Sequence, residues 1–351
     1  MPILRSHSAM QLARNLKAFL NLEAGIVRGE KPDDTRRSGT STEAAQETER
    51  LRLRLEAKEA EIARLKAGGS GIEKPGIRPE NIVWIFGMAR TGSTWLNRMM
   101  GDISGYAGWK EPLVGALFGQ QYYMRGRDEG RNRRNFILAD LHMKSWLNSI
   151  RTFVLSEANA HYPDLGQDEY LIIQEPNGSI GAPLLMQALP ESRMVFLIRD
   201  PRDAVASSMD SHKKGGWAFK RQEKEGGEAA EPDIHARNSA RKYLQFIGKS
   251  KEAYELHTGP KVFIRYEELR ADTLGTMERI YLTLGLPVEE SELKRIVEKH
   301  SWEKIPEDKK GSGKPHRKAT PGGWKDDLTP KQIEIVEQTT APLLKEFYPG
   351  R

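Results

Sequence analysis

The chain of 351 residues contains no cysteine. That absence excludes disulfide bridges, thiolate metal centres such as zinc fingers, and any cysteine nucleophile. It also fits a reducing compartment, so a soluble cytoplasmic protein is the expectation. Long apolar runs are missing too. The N-terminal stretch "MQLARNLKAFLNL" is broken by basic and polar residues, which leaves neither a signal-peptide core nor a membrane span. A large excess of one charge is the third thing lacking. The 55 Lys and Arg against 49 Asp and Glu leave +6, enough for one or two anion sites and no argument for a nucleic-acid partner. The length suits one large domain or two ordinary ones, with a core large enough for an enzyme.

Two regions of different character follow one another. Residues 1–79 are polar, and within 41–67 the stretch "ETERLRLRLEAKEAEIARLKAGG" is strongly helical. Leu51, Leu55, Lys58, Ile62 and Leu65 take the alternating four-three steps of a coiled-coil seam, with Lys58 as a flaw, over about two and a half heptads. The segment is read either as a solvated or docked helix or as a short dimerisation helix that would make a homodimer. "GGSGIEKPG" then stops the helix and forms a linker. Residues 80–351 alternate short apolar runs with helical periodicity. "NIVWIFG", "EYLIIQ", "RMVFLIRD" and "KVFIRYE" read as buried parallel strands, and "GAPLLMQALP" or "ARNSARKYLQFIGKSKEAYELH" as helices between them. This predicts an α/β domain of three α/β/α layers around a mainly parallel sheet, with ligands outside the strands' carboxyl ends. "SHKKGGWAFKRQEKEGGEAAEPD" and "PEDKKGSGKPHRKATPGG" are charged and Gly-rich, and read as mobile loops or lids.

The stretch "FGMARTGSTWL" follows the first predicted strand. Gly87 and Gly92 have the spacing of a phosphate-binding loop, yet Ser93 stands where the loop's lysine belongs. The amides of Gly92, Ser93 and Thr94 fall at a helix N-terminus, where unpaired donors and the helix dipole favour an anion. Arg90 supplies the cation from inside the turn, with a fork suited to an oxyanion. The residues "ARTGSTWL" resemble the 5'-phosphosulfate loop of sulfotransferases that use 3'-phosphoadenosine 5'-phosphosulfate (PAPS). The resemblance implies that Arg90 contacts the phosphosulfate, that Thr91 and Gly92 complete the turn, and that Ser93 and Thr94 form the hydroxyl pair. Trp95 matches the tryptophan that stacks on adenine in cytosolic members; its other reading is a core anchor.

Two further stretches carry the resemblance onward. In "VFLIRDPRDAVASS" a strand leads to Arg199, with Asp200 as N-cap and Pro201 at the first helical position. The family's strand-loop-helix for the 3'-phosphate has an arginine and a serine at this spacing, which Arg199 and Ser207 match; a structural ion pair of Arg199 with Asp203 is the blander account. In "HRKATPGGWKDDLTPKQ" Arg317 and Lys318 match the family's phosphate-binding pair, while Ala319 replaces its usual glycine. "IRYEELRADTLG" resembles the family's Tyr-Glu-Asp/Glu-Leu stretch and brings Tyr266 into the nucleotide site. The likeness extends from about Asn81 to Pro349 and implies the P-loop-NTPase-like sulfotransferase fold, PAPS as cosubstrate and 3'-phosphoadenosine 5'-phosphate (PAP) as product.

Sulfonate transfer is an in-line displacement. It needs alignment, neutralisation of the leaving phosphate oxygen, and a base for the acceptor proton. Arg90, Thr94 and the helix N-terminus serve the leaving group, and no metal is required, since arginines can take the place of magnesium. Cytosolic members carry a histidine base where this chain reads "IIQEPNGS", so the resemblance turns to the branches with a glutamate after the first helix. Glu111 in "GWKEPLVG" fits that place, its alternative being a helix-capping role; Glu175 is the second candidate and His212 the third. Trp109 and Pro112 would shape the pocket, and Lys110 is either an assistant or a surface lysine. The acceptor is open among glycan, lipid, small molecule and peptide. A kinase on the same fold, or a non-catalytic nucleotide-binding scaffold that dimerises through its N-terminal helix, are the competing readings; a missing lysine and a pair for a 3'-phosphate speak against the kinase.

Overall fold

The computed structural model describes residues 76–350 apart from 126–127, 225–229 and 315, together with Arg52. Apart from Arg52, the helical segment at 41–67, its linker and the homodimer contact expected through it lie outside the described residues.

Five parallel strands form one sheet in the order β2-β3-β1-β4-β5. They are β1 (Ile82–Phe86), β2 (Tyr106–Lys110), β3 (Tyr170–Gln174), β4 (Arg193–Ile198) and β5 (Lys261–Arg265). Between and after them run α1 (Ser93–Gly101), α2 (Val114–Gly119), α3 (Met143–His161), α4 (Ala182–Ala188), α5 (Pro201–His212), α6 (Trp217–Lys224), α7 (Pro232–Leu256), α8 (Tyr266–Ala271), α9 (Thr273–Leu284), α10 (Glu290–Lys299), α11 (Trp324–Asp327) and α12 (Pro330–Phe347). The chain leaves β1 for one edge, returns through β3 and crosses to β4 on β1's other side. That reversal puts the crevice of an open α/β sheet at the carboxyl end of β1.

Successive strand residues point to opposite faces, and here both faces are apolar because both are covered. Trp84, Phe86, Leu171, Ile173, Met194 and Phe196 pack with Ile150 of α3, Leu185 of α4 and Ile247 of α7. Val83, Ile85, Ile172, Val195 and Ile264 pack with Leu96, Met99 and Met100 of α1 and with Ile280 of α9. The result is the three-layer α/β/α arrangement, its sheet wholly parallel. Leu96, Met99 and Met100 are fully buried, as the helical spacing after the first loop predicts, and each such side chain contributes about 1.5–3 kcal/mol.

Two elements depart from the sequence reading. β2, "YAGWK", is an additional strand at the sheet's edge, and its burial alternates instead of running apolar throughout. An edge strand needs no continuous apolar run, so it gives no such signal. The charged stretch after His212, expected as a loop, contains α6. Its partner loop docks on it: the Trp217 amide donates to the Gly313 carbonyl at 3.0 Å, and the Gly313 amide donates to Asp210 Oδ2 at 2.7 Å.

Candidate active site

Because every strand is parallel, all five carboxyl ends lie at one edge of the sheet, and each delivers a polar group there. Arg90 follows β1, Glu111 follows β2, Gln174 ends β3, Arg199 follows β4 and Tyr266 follows β5.

The first loop is shaped by two residues in the left-handed region. Gly92 has φ +92°, and a Cβ there would stand 2.6 Å from the Tyr266 ring, so glycine is required twice over. Arg90 has φ +78°, which costs a non-glycine residue on the order of 1 kcal/mol. Thr91, fully buried, turns its hydroxyl inward to donate to the Met88 carbonyl at 2.7 Å. No side chain caps α1, so its first amides face the loop as an anion site.

The turn aims Arg90 at the second motif. Its Nε donates to Ser207 Oγ at 2.9 Å, and Arg199 Nη1 donates to the Arg90 carbonyl at 3.2 Å. The Arg199 guanidinium lies 4.3 Å from the centre of the Tyr266 ring, and its Nε is buried without a protein partner. Burial, then Arg199 and Arg317, pull the Arg90 guanidinium down to about 10. Such crowding of cations would be relieved by an anion placed among them. The Asp200 cap is as expected, accepting from the Arg202 amide at 2.9 Å.

Asp203 has a role other than the structural ion pair with Arg199. Its carboxylate accepts from the amides of Gly322 at 2.7 Å and Trp324 at 3.0 Å. Burial pushes it up and the nearby Arg199 draws it back. It thereby ties the C-terminal motif to α5. Within that motif Arg317 pairs with Asp327 at 2.6 Å and is buried, whereas the more exposed Lys318 reaches Asp327 at 2.8 Å. Ala319, where the family's glycine would stand, has φ +52°. Trp95 is half-buried: its Nε1 donates to the His300 carbonyl at 2.9 Å and its ring meets Tyr266 edge-on at 6.5 Å.

The two candidate carboxylates occupy unlike places. Glu111 has φ +50° and is half-buried at the mouth; its Oε2 accepts from Asn177 Nδ2 at 3.0 Å and its Oε1 from Gln174 Nε2 at 3.5 Å. The same Gln174 nitrogen donates to Thr94 Oγ1 at 2.9 Å and Ser93 Oγ at 3.2 Å. Glu111 is thus joined through one amide to the hydroxyl pair of the first loop. Glu175 has no exposed surface; its Oε1 accepts from the Val114 amide at 2.9 Å, and its Oε2 is buried without a protein partner. Burial pushes it up to about 8, against the pull of the backbone amides of Val114 and Leu113. The capping role considered for Glu111 is therefore filled by Glu175, which is enclosed.

Other side chains fall elsewhere. Trp109 stacks on His161 at 4.8 Å on the α3 side of the sheet. His212 closes α5 with its Nδ1 on the Ser208 carbonyl at 2.9 Å and its ring 5.0 Å from that of His235. Gln174 and Asn177 are candidate site residues that the sequence reading does not single out, and Asp203 enters that reading only as an ion-pair partner of Arg199. For Gln174 a signal existed: it is the polar residue closing an apolar strand run. Asn177 and Asp203 carry no such signal, because their partners lie 66 and 119 residues away.

Comparison with known proteins adds the family. The model of the "Sulfotransferase family" matches residues 83–290, more than half of the chain. No curated protein sequence matches. Among solved structures, mouse sulfotransferase SULT7A1 complexed with PAP is 16% identical, with 80% of this chain and 89% of that one covered at a TM-score of 0.49. Sulfotransferase STF9 from Mycobacterium avium is 16% identical over 83% and 81% at 0.45, and the sulfotransferase from Alicyclobacillus acidocaldarius 13% over 78% and 97% at 0.41. With a family match that begins inside β1 and contains the first loop, Glu111, Arg199 and Ser207, the chain belongs to the sulfotransferase family.

Proposed function

We propose that this sulfotransferase takes its sulfonate from PAPS and passes it to an acceptor hydroxyl or amine, with Glu111 as the base. The observation that carries the reading is the 2.9 Å contact of Arg90 Nε with Ser207 Oγ. It joins two phosphate motifs, far apart in the chain, into one cationic pocket with Arg199 and Arg317. The orphaned Arg199 Nε and the depressed Arg90 guanidinium fit a ligand with phosphates at both ends better than a singly anionic one. Arg199, Ser207, Arg317 and Lys318 would hold the 3'-phosphate. Arg90, Thr91, Gly92, Ser93 and Thr94 would hold the phosphosulfate, with Trp95 and Tyr266 beside the adenosine.

In the step itself the acceptor oxygen or nitrogen bonds to sulfur as the bond from sulfur to the 5'-phosphate oxygen breaks, and the bonding pair leaves with PAP. Arg90 and the α1 amides neutralise that oxygen. Glu111 takes the acceptor proton, its two oxygens held by Asn177 and Gln174. Glu175 braces the turn that presents Glu111. No step in this scheme calls for a metal. Lack of cysteine favours a reducing, cytoplasmic compartment, and the N-terminal segment would add a homodimer contact.

Three measurements test the reading. 3',5'-ADP is expected to protect the protein against thermal unfolding more than Mg-ATP does; preference for Mg-ATP would overturn PAPS as the cosubstrate. A screen of glycan, lipid, phenol and peptide acceptors with sulfur-labelled PAPS identifies the acceptor. On that acceptor Glu111→Gln should lower kcat by about 10²–10⁴, and an unchanged kcat rules Glu111 out as base.

A further inference from the structure

The two amides that hold Glu111 are each fixed from behind. Gln174 is oriented by the hydroxyls of Ser93 and Thr94, to which its Nε2 donates at 3.2 and 2.9 Å. Asn177 is oriented from the other side, by α7: Lys242 Nζ donates to Asn177 Oδ1 at 3.4 Å. With its oxygen turned to the ammonium, the Asn177 amide has its nitrogen turned to Glu111 Oε2, 3.0 Å away. An amide N–H can only donate, so this arrangement fixes which carboxylate oxygen faces Asn177. A continuous path results, Lys242–Asn177–Glu111–Gln174–Thr94, from a cation on α7 to the loop at the carboxyl end of β1.

We propose that Lys242 is a positioning residue for the transfer reaction: acting through Asn177, it orients the Glu111 carboxylate toward the acceptor's proton. This rests on the reading of Glu111 as base. Lys242 on α7 and Glu175 on the segment after β3 both feel the Glu111 charge: it raises the lysine against the larger effect of desolvation, and it adds to the burial that pushes Glu175 up to about 8. Among the described residues the lysine's hydrogen bond goes to Asn177 and not to a phosphate-binding side chain. The lysine projects from the far end of the path, with its ammonium 5.0 Å from the Phe246 ring centre.

The test follows the Glu111 carboxylate directly, by carbon NMR of full-length protein labelled in its glutamate side chains, with Glu111→Gln assigning the resonance. In Lys242→Met the chemical shift of that resonance should move away from the parent position. Asn177→Leu should move it the same way, and Lys242→Arg should restore it. With labelled PAPS, kcat should fall severalfold in Lys242→Met and Asn177→Leu and recover in Lys242→Arg, while 3',5'-ADP affinity stays at the parent value. A resonance and kcat unchanged in Lys242→Met and Asn177→Leu overturn the proposal. If Glu111→Gln keeps full kcat, the base reading fails whatever the resonance does, so the two failures are distinguishable.

Discussion

At the scale of single residues the site is expensive to assemble. Arg90 and Glu111 both hold positive φ, a conformation in which side-chain direction is gained at the cost of backbone strain. For Arg90 the gain is the bond to Ser207 and a place between Arg199 and Arg317. Arg90→Ala should relieve the strain only in part and remove the loop's cation. The expected outcome is at least tenfold weaker 3',5'-ADP binding by calorimetry and about 10²–10³ slower transfer in single-turnover assays. Glu175 makes a prediction about pH. Its carboxyl sits at about 8 in the folded protein against an ordinary 4.5, so the folded state binds the proton more tightly than the unfolded chain. The stability this gives is complete below about 4.5 and is lost as pH rises to about 8. Glu175→Gln cannot ionise. Measured by urea unfolding, the variant should gain on the parent across that window, by on the order of 1–4 kcal/mol at its upper end; a difference that stays flat with pH would contradict the shift.

At the scale of elements, the decisive connections are those that bring distant loops onto one strand edge. Asp203, in the first turn of α5, accepts the amides of Gly322 and Trp324, and Arg202 lies 4.2 Å from the Trp324 ring centre. These contacts seat the loop that carries Arg317. Asp203→Ala leaves two backbone donors without their acceptor, at about 1–3 kcal/mol for each that stays buried. The expected result is a lower Tm with unchanged far-UV circular dichroism, together with weaker 3',5'-ADP binding because Arg317 is no longer seated; parent-like affinity would mean that the loop is held by other contacts. The elements themselves were legible to different degrees. β1, β3, β4 and β5 are apolar runs because two helical layers cover them, and Asp200-Pro201 announces α5. β2 was not legible, since an edge strand with one half-exposed face lacks the run. Neither was α6, whose short, charged sequence gains its order from Trp217 meeting the Gly313 loop.

At the scale of the whole molecule, the parallel sheet converts sequence order into a single reactive edge. Every loop after a strand ends up on the same side, so Arg90, Glu111, Gln174, Arg199 and Tyr266 converge without neighbouring one another in the chain. Ligand binding should therefore stabilise the fold as a unit. At a 3',5'-ADP concentration of about 100 times Kd the gain is about 2.7 kcal/mol, a Tm rise of roughly 5 °C for a domain of this size. The rise should shrink as salt screens the nucleotide's charges. Among the described residues no helix is long and apolar enough to cross a membrane.

The sequence by itself determined the alternation of strands and helices, the glycine-framed loop with its arginine, and the motif order that marks the family, because these depend on local spacing and on periodic burial. Tertiary structure alone decided the rest. It gave Glu111, half-buried and linked to Thr94, surroundings unlike those of Glu175, enclosed and capping α2. It also assigned Asp203 to the C-terminal loop and placed Lys242 behind Asn177. The physical reason is that burial, desolvation and hydrogen-bond partnership are properties of what surrounds a side chain, and those surroundings come from segments far away in the chain.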